Sequence, residues 1–221
     1  MRKATLYGVL FGSFVLAIAD AIGTRVSLVD GALPRSEGPW IWTSSRAAGV
    51  AGYLALSLNV IFGLFISTGF ADRWIARAYT VEIHQWLSGA TLGLVAAHGL
   101  LLLGDGFIRL DVLDVIVPFI DPYRPLGVGL GVVAAYGAFL VHWSFSLRRT
   151  IGVSAWRKLH YLTFVLFVFA TAHGILAGTD TRLPGMMAMY TTAASLVAAL
   201  VLYRLASVSD ALIRSLGLTK C

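Results

Sequence analysis

Apolar residues fall into six long runs along the chain, separated by short segments rich in charged and turn-forming residues. A helix needs about 20 mostly apolar residues to cross the hydrocarbon core of a bilayer. The runs meet this length and predict six membrane-spanning helices. We place them at about 4–22, 47–69, 82–104, 126–146, 158–178 and 186–206. The expected fold is an all-α, integral membrane six-helix bundle, forming one transmembrane domain over residues 1–221.

The first run has a second interpretation. Arg2 and Lys3 precede it and Ala19-Asp20-Ala21 follows it, as in a secretory signal peptide with a small-residue cleavage site. We favour a retained helix, because the run is longer than the apolar region typical of signal peptides. The other five predicted helices are the same under either interpretation.

The composition also indicates a membrane protein, since 58% of residues are hydrophobic and only 13% are charged. The net charge of +6 does not indicate nucleic-acid binding, because the basic residues cluster at the ends of the apolar runs. The single cysteine, Cys221, allows neither an intrachain disulfide nor a Cys-x-x-Cys metal site. We therefore expect lipid, and no nucleic acid, around this chain.

Basic residues predict the orientation of the helices. With the N-terminus in the cytoplasm, 11 of the 17 basic residues lie on the cytoplasmic side. Those residues are Arg2, Lys3, Arg73, Arg77, Arg148, Arg149, Arg157, Lys158, Arg204, Arg214 and Lys220. The outer side then holds Arg25, Arg35, Arg46, Arg109, Arg124 and Arg182. By the positive-inside rule, we expect a multi-pass protein of the cell membrane with both termini cytoplasmic.

Four histidines lie inside two of the predicted helices. His84 and His98 are 14 residues apart, and His160 and His173 are 13 residues apart. Each interval corresponds to roughly 20 Å along a helix, so both members of each pair fit within a bilayer core of about 30 Å. Both helices run in the same direction, so equal depth pairs His84 with His160 and His98 with His173. Ionisable groups at such depths are rare and usually functional.

Each depth-matched pair could supply two axial imidazoles to one heme, and two hemes at two depths would carry electrons across the membrane. Zinc is disfavoured because each depth offers two histidines and no nearby carboxylate or thiolate. A single histidine in a membrane helix can simply bond a carbonyl group, but four matched histidines are harder to explain in that way. An interval of 14 residues keeps His84 and His98 on one helix face, whereas 13 residues does not. Either the hemes are offset sideways or the helix with His160 and His173 is distorted.

The histidine pattern resembles the ferric reductase-like transmembrane domain shared by NADPH oxidases, ferric-chelate reductases and some small bacterial heme proteins. The matching segments are EIHQWLSG at 82–89, AHG at 97–99, WRKLH at 156–160 and AHG at 172–174. The resemblance covers about residues 42–206. It implies that His84, His160, His98 and His173 ligate two stacked b-type hemes. It also implies that electrons pass from a cytoplasmic flavin through the inner heme, held by His84 and His160, to the outer heme, held by His98 and His173.

Two further residues are candidates for the site. By the same resemblance, Arg46 would neutralise a propionate of the outer heme or a reduced, negatively charged species. Alternatively, Arg46 is an interfacial residue that extends to water. We interpret His142, which has no partner at its depth, as a residue that supports the inner heme or lies at the interface. Trp86, Trp143 and Trp156 are expected to be interfacial anchors.

The sequence contains no dinucleotide-binding motif, and residues 207–221 are too few to bind flavin or NAD(P)H. We therefore expect a heme-dependent membrane oxidoreductase with a separate donor on the cytoplasmic side, either flavin-bearing or another redox carrier. Its acceptor on the outer side would be a ferric complex, dioxygen or a periplasmic redox protein. The alternative is a heme-containing anchor or assembly subunit, similar to the membrane subunit of the methionine-sulfoxide repair system. A proton-relaying transporter is disfavoured, because internal repeats and intramembrane carboxylates are missing.

The outer segment 105–125 mixes apolar residues with acids and is too short and too charged to span the membrane. We expect it to lie at the outer interface and partly cover the outer heme. Asp111 and Asp114 would then attract cationic acceptors. The alternative is a solvated loop whose acids only mark the outer side.

Overall fold

The computed structural model describes residues 39–106 and 110–215, and the regular elements of these residues are all helices. They are α1 (Pro39–Thr68), α2 (Arg77–Leu103), α3 (Val112–Ile116), α4 (Pro125–Ile151), α5 (Val153–His160), α6 (Leu162–Ala177) and α7 (Pro184–Ser215). Five stretches are long and apolar enough to cross a membrane. These are Trp40–Thr68, Arg77–Leu103, Pro125–Ile151, Val153–Ala177 and Pro184–Ser209.

The five predicted spans after the first are helical, but their helices begin earlier than predicted. α1 begins at Pro39 rather than 47, α2 at Arg77 rather than 82, and α5 at Val153 rather than 158. Hydropathy marks only the apolar part of a helix, whereas the backbone hydrogen bonds continue through polar and aromatic residues at the interface. A proline at the start of α1 costs no hydrogen bond there. The predicted span 4–22 lies outside the described residues.

The long helices pack as two pairs, and this arrangement positions the histidines. α2 packs along α1, and α6 packs along α4, whereas direct contact between α2 and α6 is sparse. α7 packs on α1, where Tyr53, Leu64, Phe167, Tyr190 and Val197 belong to a buried apolar cluster. The two helices that carry the histidine pairs thus face each other across a seam that backbone packing does not close.

Large apolar side chains also cover the outside of the bundle. Leu58, Val168 and Leu202 are exposed on three different helices, at 46%, 60% and 66% of their full accessible area. A water-soluble protein rarely shows so much continuous apolar surface, but a lipid-facing surface requires it. The described residues therefore form the membrane-embedded helical bundle that the hydropathy pattern predicts.

The helix that carries His160 and His173 is interrupted between them. α5 ends at His160, α6 begins at Leu162, and Tyr161 lies between the two. The amide of Phe164 donates to the carbonyl oxygen of Tyr161 at 3.2 Å, a tighter three-residue bond in place of the α-helical four-residue bond. Of the two alternatives left open by the 13-residue interval, a distorted helix is the one observed.

The outer segment 105–125 packs on the helix ends. Its short helix α3 places Val115 where a Cβ on Gly99, next to His98, would lie 3.3 Å away from its Cγ1 atom. Asp105 and Asp121 are buried, and Asp114 accepts the backbone N–H of Asp111 at 2.8 Å. The segment therefore lies against the end of the bundle near His98, while residues 107–109 are outside the described part.

Candidate functional site

The structure brings the four histidines together as two pairs across the seam between α2 and α6. The ring centroids of His84 and His160 are 6.1 Å apart, and those of His98 and His173 are 6.2 Å apart. The ring planes cross at 71° and 74°. We call the end with His98 and His173 the outer end and the other the inner end, after the orientation predicted from charge.

The ring separations match those of two imidazoles on opposite sides of one metal ion. A metal–nitrogen bond of about 2.0–2.1 Å, with roughly 1.1 Å from the nitrogen to its ring centroid, places such centroids about 6.3 Å apart. Both observed separations lie close to this value. Rings in direct stacking contact would approach more closely, and unrelated rings would have no reason to repeat the same distance at two depths.

Hydrogen bonds fix the protonation of three of the four rings. The Nδ1 atom of His84 bonds the carbonyl oxygen of Asn59 at 2.9 Å. That of His98 bonds the carbonyl of Ser45 at 2.8 Å, and that of His173 bonds the carbonyl of Gly127 at 2.8 Å. A carbonyl oxygen can only accept, so each Nδ1 carries the proton and each Nε2 keeps a lone pair. This is the arrangement that metal-ligating histidines adopt.

Glycines make room for the same three rings. A Cβ on Gly49 would lie 3.0 Å from Nδ1 of His98, and one on Gly63 would lie 3.2 Å from Cε1 of His84. A Cβ on Gly131 would overlap the ring of His173. Each of these glycines lies four residues after the residue whose carbonyl bonds the ring, so one helical turn both anchors the imidazole and accommodates it.

His160 lacks such a cradle. Its Nδ1 atom is buried and makes no hydrogen bond within the described residues. The ring instead lies against Trp156, with centroids 5.1 Å apart and planes tilted by 30°. Trp156, expected as an interfacial anchor, is half-buried against this histidine. The inner pair is therefore anchored by hydrogen bonding on one side only.

The described residues suit a ligand that takes two donors per site. No group of three or more histidine, cysteine, aspartate or glutamate side chains able to hold a metal occurs within 39–106 and 110–215. Two imidazoles in trans are too few for an ordinary zinc site, but they complete the coordination of an iron whose macrocycle supplies the other ligands. The four histidine side chains are only partly buried by protein, which leaves room beside them.

Arg46 lies near the outer pair, one residue after the serine that bonds His98. Its guanidinium forms an ion pair with Asp180, and it lies 5.8 Å from the ring centroid of Trp42. Arg46 is inside α1 rather than at its start, since the helix begins at Pro39. The ion pair ties α1 to the loop between α6 and α7, and either role predicted for Arg46 has to operate beside this carboxylate.

His142 is not part of either pair. Its Nδ1 atom lies 2.8 Å from the hydroxyl oxygen of Ser88, one helical turn after His84. This bond joins α4 to α2 across the inner half of the bundle. Trp86 and Trp143 are exposed, at 61% and 48%, as interfacial anchors would be.

The sequence analysis missed the residues that hold the rings, although a signal for them exists. Ser45 and Gly49 serve His98, while Asn59 and Gly63 serve His84; each set repeats at the same 14-residue interval as the two histidines. Asn59 is the only asparagine of the chain and lies within an apolar run. A polar residue with a glycine one turn later, repeated at the interval of the histidines, would have identified the helix that packs on them.

Comparison of the chain with family profiles, with curated proteins and with solved structures found no match. The site is therefore interpreted from the geometry of its own residues.

Proposed function

We propose that the chain conducts electrons across the membrane through two b-type hemes, one held by His84 and His160 and the other by His98 and His173. The observation that carries the proposal is the repeated ring separation of 6.1 and 6.2 Å at two depths. Supporting it, the tautomer of three rings leaves Nε2 free to bind a metal. Non-covalent hemes are favoured because the single cysteine excludes a c-type attachment motif.

Bound heme would supply one-electron chemistry at an iron whose two axial positions are both filled. The protein's part is to hold four imidazoles and to place them at two levels. Fourteen residues of α2 separate His84 from His98, which corresponds to roughly 21 Å and so to most of the hydrocarbon thickness. Since no axial position is open, an acceptor would be reduced through the exposed edge of the outer site without binding to its metal.

The charge distribution supports a direction from the inner to the outer end, with the donor at the cytoplasmic face. The donor would be a separate protein with a flavin, or another redox carrier, and the acceptor a ferric complex, dioxygen or a periplasmic redox protein. In this proposal the chain is a heme-dependent oxidoreductase of the ferric reductase-like type.

A liposome assay tests the proposal directly. Ferricyanide is trapped inside liposomes that contain the heme-loaded protein, and dithionite is added outside, with valinomycin and potassium to balance charge. We expect the trapped ferricyanide to be bleached, and we expect His98→Ala and His84→Ala to reduce the rate to that of empty liposomes. His142→Ala is the matched control, because it removes a membrane histidine outside the pairs and should leave conduction in place.

Two results would contradict the proposal. If both paired-histidine variants bleached ferricyanide as fast as the unmodified protein, the pairs would not form the path. If the protein bound heme but did not conduct, the alternative of an anchor or assembly subunit would be supported instead.

A further inference from the structure

The outer end of the bundle carries an open pocket of about 390 Å³. Its lining residues come from the start of α4, the end of α6 and the loop that follows: Arg124, Ile175, Gly178, Thr179, Thr181 and Arg182. This volume lies within the range of about 300–1,000 Å³ typical of small-molecule sites. The pocket is polar and has two arginines, whereas most of the surrounding surface is apolar.

The pocket adjoins the backbone that holds the outer histidine pair. Ile175 is two residues after His173 on α6. Arg124 is three residues before Gly127, whose carbonyl accepts the Nδ1–H of His173. A molecule in this pocket would therefore lie within a few residues of the outer site, where an electron would leave the membrane under the proposed function.

Both arginines keep donors for a ligand. Arg124 uses one nitrogen, Nη1, to donate to the carbonyl of Leu176 at 2.7 Å and, more weakly, to that of Gly178 at 3.5 Å. Its other guanidinium N–H groups make no hydrogen bond among the described residues. Arg182 is exposed and makes no hydrogen bond or ion pair within that part of the chain. A guanidinium presents five N–H donors in a planar fork suited to oxyanions.

The nearby carboxylates do not cancel this charge. Asp180, in the same loop, is paired with Arg46. Asp121 is buried, and one of its oxygens accepts the backbone N–H groups of Tyr123 and Arg124 at 2.8 and 2.7 Å. Three arginines and two aspartates leave a net positive charge, and both of the arginines that line the pocket remain available.

We propose that this pocket binds the electron acceptor, and that the acceptor is a small anionic complex bearing carboxylates or other acidic groups. The inference rests on the proposed function for the source of the electron. The bound acceptor gains one electron, supplied from the cytoplasmic reductant through the chain; no bond forms or breaks, and no proton is transferred. The pocket thus selects acceptors by charge before transfer.

The same observations weaken the expectation of cationic acceptors. Of the carboxylates in the outer segment, Asp105 and Asp121 are buried, and Asp114 accepts the N–H of Asp111. Local structure takes up most of the negative charge that would attract a cation. The positive pocket, by contrast, is open and lies beside the outer pair.

A redox-inert probe separates binding from electron transfer. We propose titration calorimetry of the heme-loaded protein in nanodiscs with hexacyanocobaltate(III), an anion, and with hexaamminecobalt(III), a cation. Hexacyanocobaltate should bind and hexaamminecobalt should not. Arg182→Gln should raise the Kd for the anion about tenfold, since a hydrogen bond to a charged group is lost, and Arg182→Lys should raise it less because the charge remains.

The matched control is Arg149→Gln, which removes an exposed arginine at the inner end that likewise has no partner among the described residues. It should leave the Kd unchanged. Absence of anion binding, or equal weakening by Arg149→Gln and Arg182→Gln, would overturn the inference. A loss of heme in Arg182→Gln with unchanged anion binding would overturn it too, and would show that the pocket serves a carboxylate of the prosthetic group.

The result is independent of the proposed function, because calorimetry of the protein needs no electron transfer. If the chain carries no heme but binds the anion, the proposed function fails and the pocket remains an anion site. If it conducts electrons but binds no anion, only this inference fails. With a conducting protein, hexacyanocobaltate should also inhibit reduction of external ferricyanide, and hexaamminecobalt should not.

Discussion

The outer and inner histidine pairs have nearly the same ring separation but differ in how the protein holds them. In the outer pair, both Nδ1 atoms donate to backbone carbonyls, and both rings lie on glycines. In the inner pair, only His84 has this support, while His160 lies at the interruption between α5 and α6 and its Nδ1 has no partner among the described residues. Equal distances therefore do not mean equal rigidity, and the outer site is the more preorganised.

The largest expected effect comes from filling the glycine cradle of the outer pair. Gly131→Leu should displace the ring of His173, because even a Cβ at this position overlaps it. The heme content should fall from about two to about one per chain, with the inner site retained. Gly89→Leu is the control, since a Cβ on Gly89 meets nothing within 4 Å. Retention of both hemes in Gly131→Leu would show that the ring does not need this space.

A second expectation compares how firmly the two sites retain heme. His98→Ala leaves only the inner site, and His84→Ala leaves only the outer site. Hydrogen-bond partners of ligating histidines are typically worth 10–100-fold in affinity, and His160 lacks one. Transfer to apomyoglobin should therefore be about tenfold faster from the inner site than from the outer site. Equal rates, or faster loss from the outer site, would remove the distinction between the pairs.

A smaller effect is expected from the side chain of Ser45. Its hydroxyl donates to the carbonyl of His98 at 3.1 Å and lies 3.1 Å from Nδ1 of the same residue. Ser45→Ala removes these contacts but keeps the backbone carbonyl that bonds Nδ1, so we expect a loss of about 1 kcal/mol in outer-site stability. Ser57→Ala is the control, because that buried hydroxyl bonds only within α1. Heme-release rates of the two variants measure the difference, and equal rates would contradict it.

The smallest effect concerns the ion pair of Arg46 with Asp180. The two side chains are 36% and 28% exposed, so Asp180→Asn should cost less than about 1 kcal/mol. Asp72→Asn, which breaks the pair with Arg77, is a comparable change at the inner end. Thermal unfolding midpoints in detergent would measure both. A large loss in Asp180→Asn alone would show that Arg46 has a structural role at the outer site.

Sequence patterns predicted the membrane helices and the pairing of the histidines, because both depend on periodicity. An apolar run of bilayer length and a pair of polar residues at a fixed interval can be recognised without tertiary contacts. The pairing of His84 with His160 needed only equal depth on two helices that run in the same direction. The sequence also predicted a difficulty at the 13-residue interval, and the interruption at Tyr161 is its resolution.

The supports of the rings could not be predicted as easily, because most of the acceptors are backbone carbonyls. Every residue has a carbonyl, so Gly127 is not distinguished by its type. Helix starts were predicted late for a similar reason, since hydropathy does not report hydrogen bonding at the interface. The outer pocket combines Arg124 with Arg182, which are distant in sequence and meet only through the packing of α4 on α6.

The heme content of the purified protein tests the central claim most directly. The pyridine hemochrome assay, combined with a measured protein concentration, should give about two b-type hemes per chain, one for each pair of imidazoles. Replacing His98 should lower the ratio to about one, and replacing both His84 and His98 should lower it to about zero. A ratio near zero in the unmodified protein, prepared from cells supplied with heme, would contradict the account.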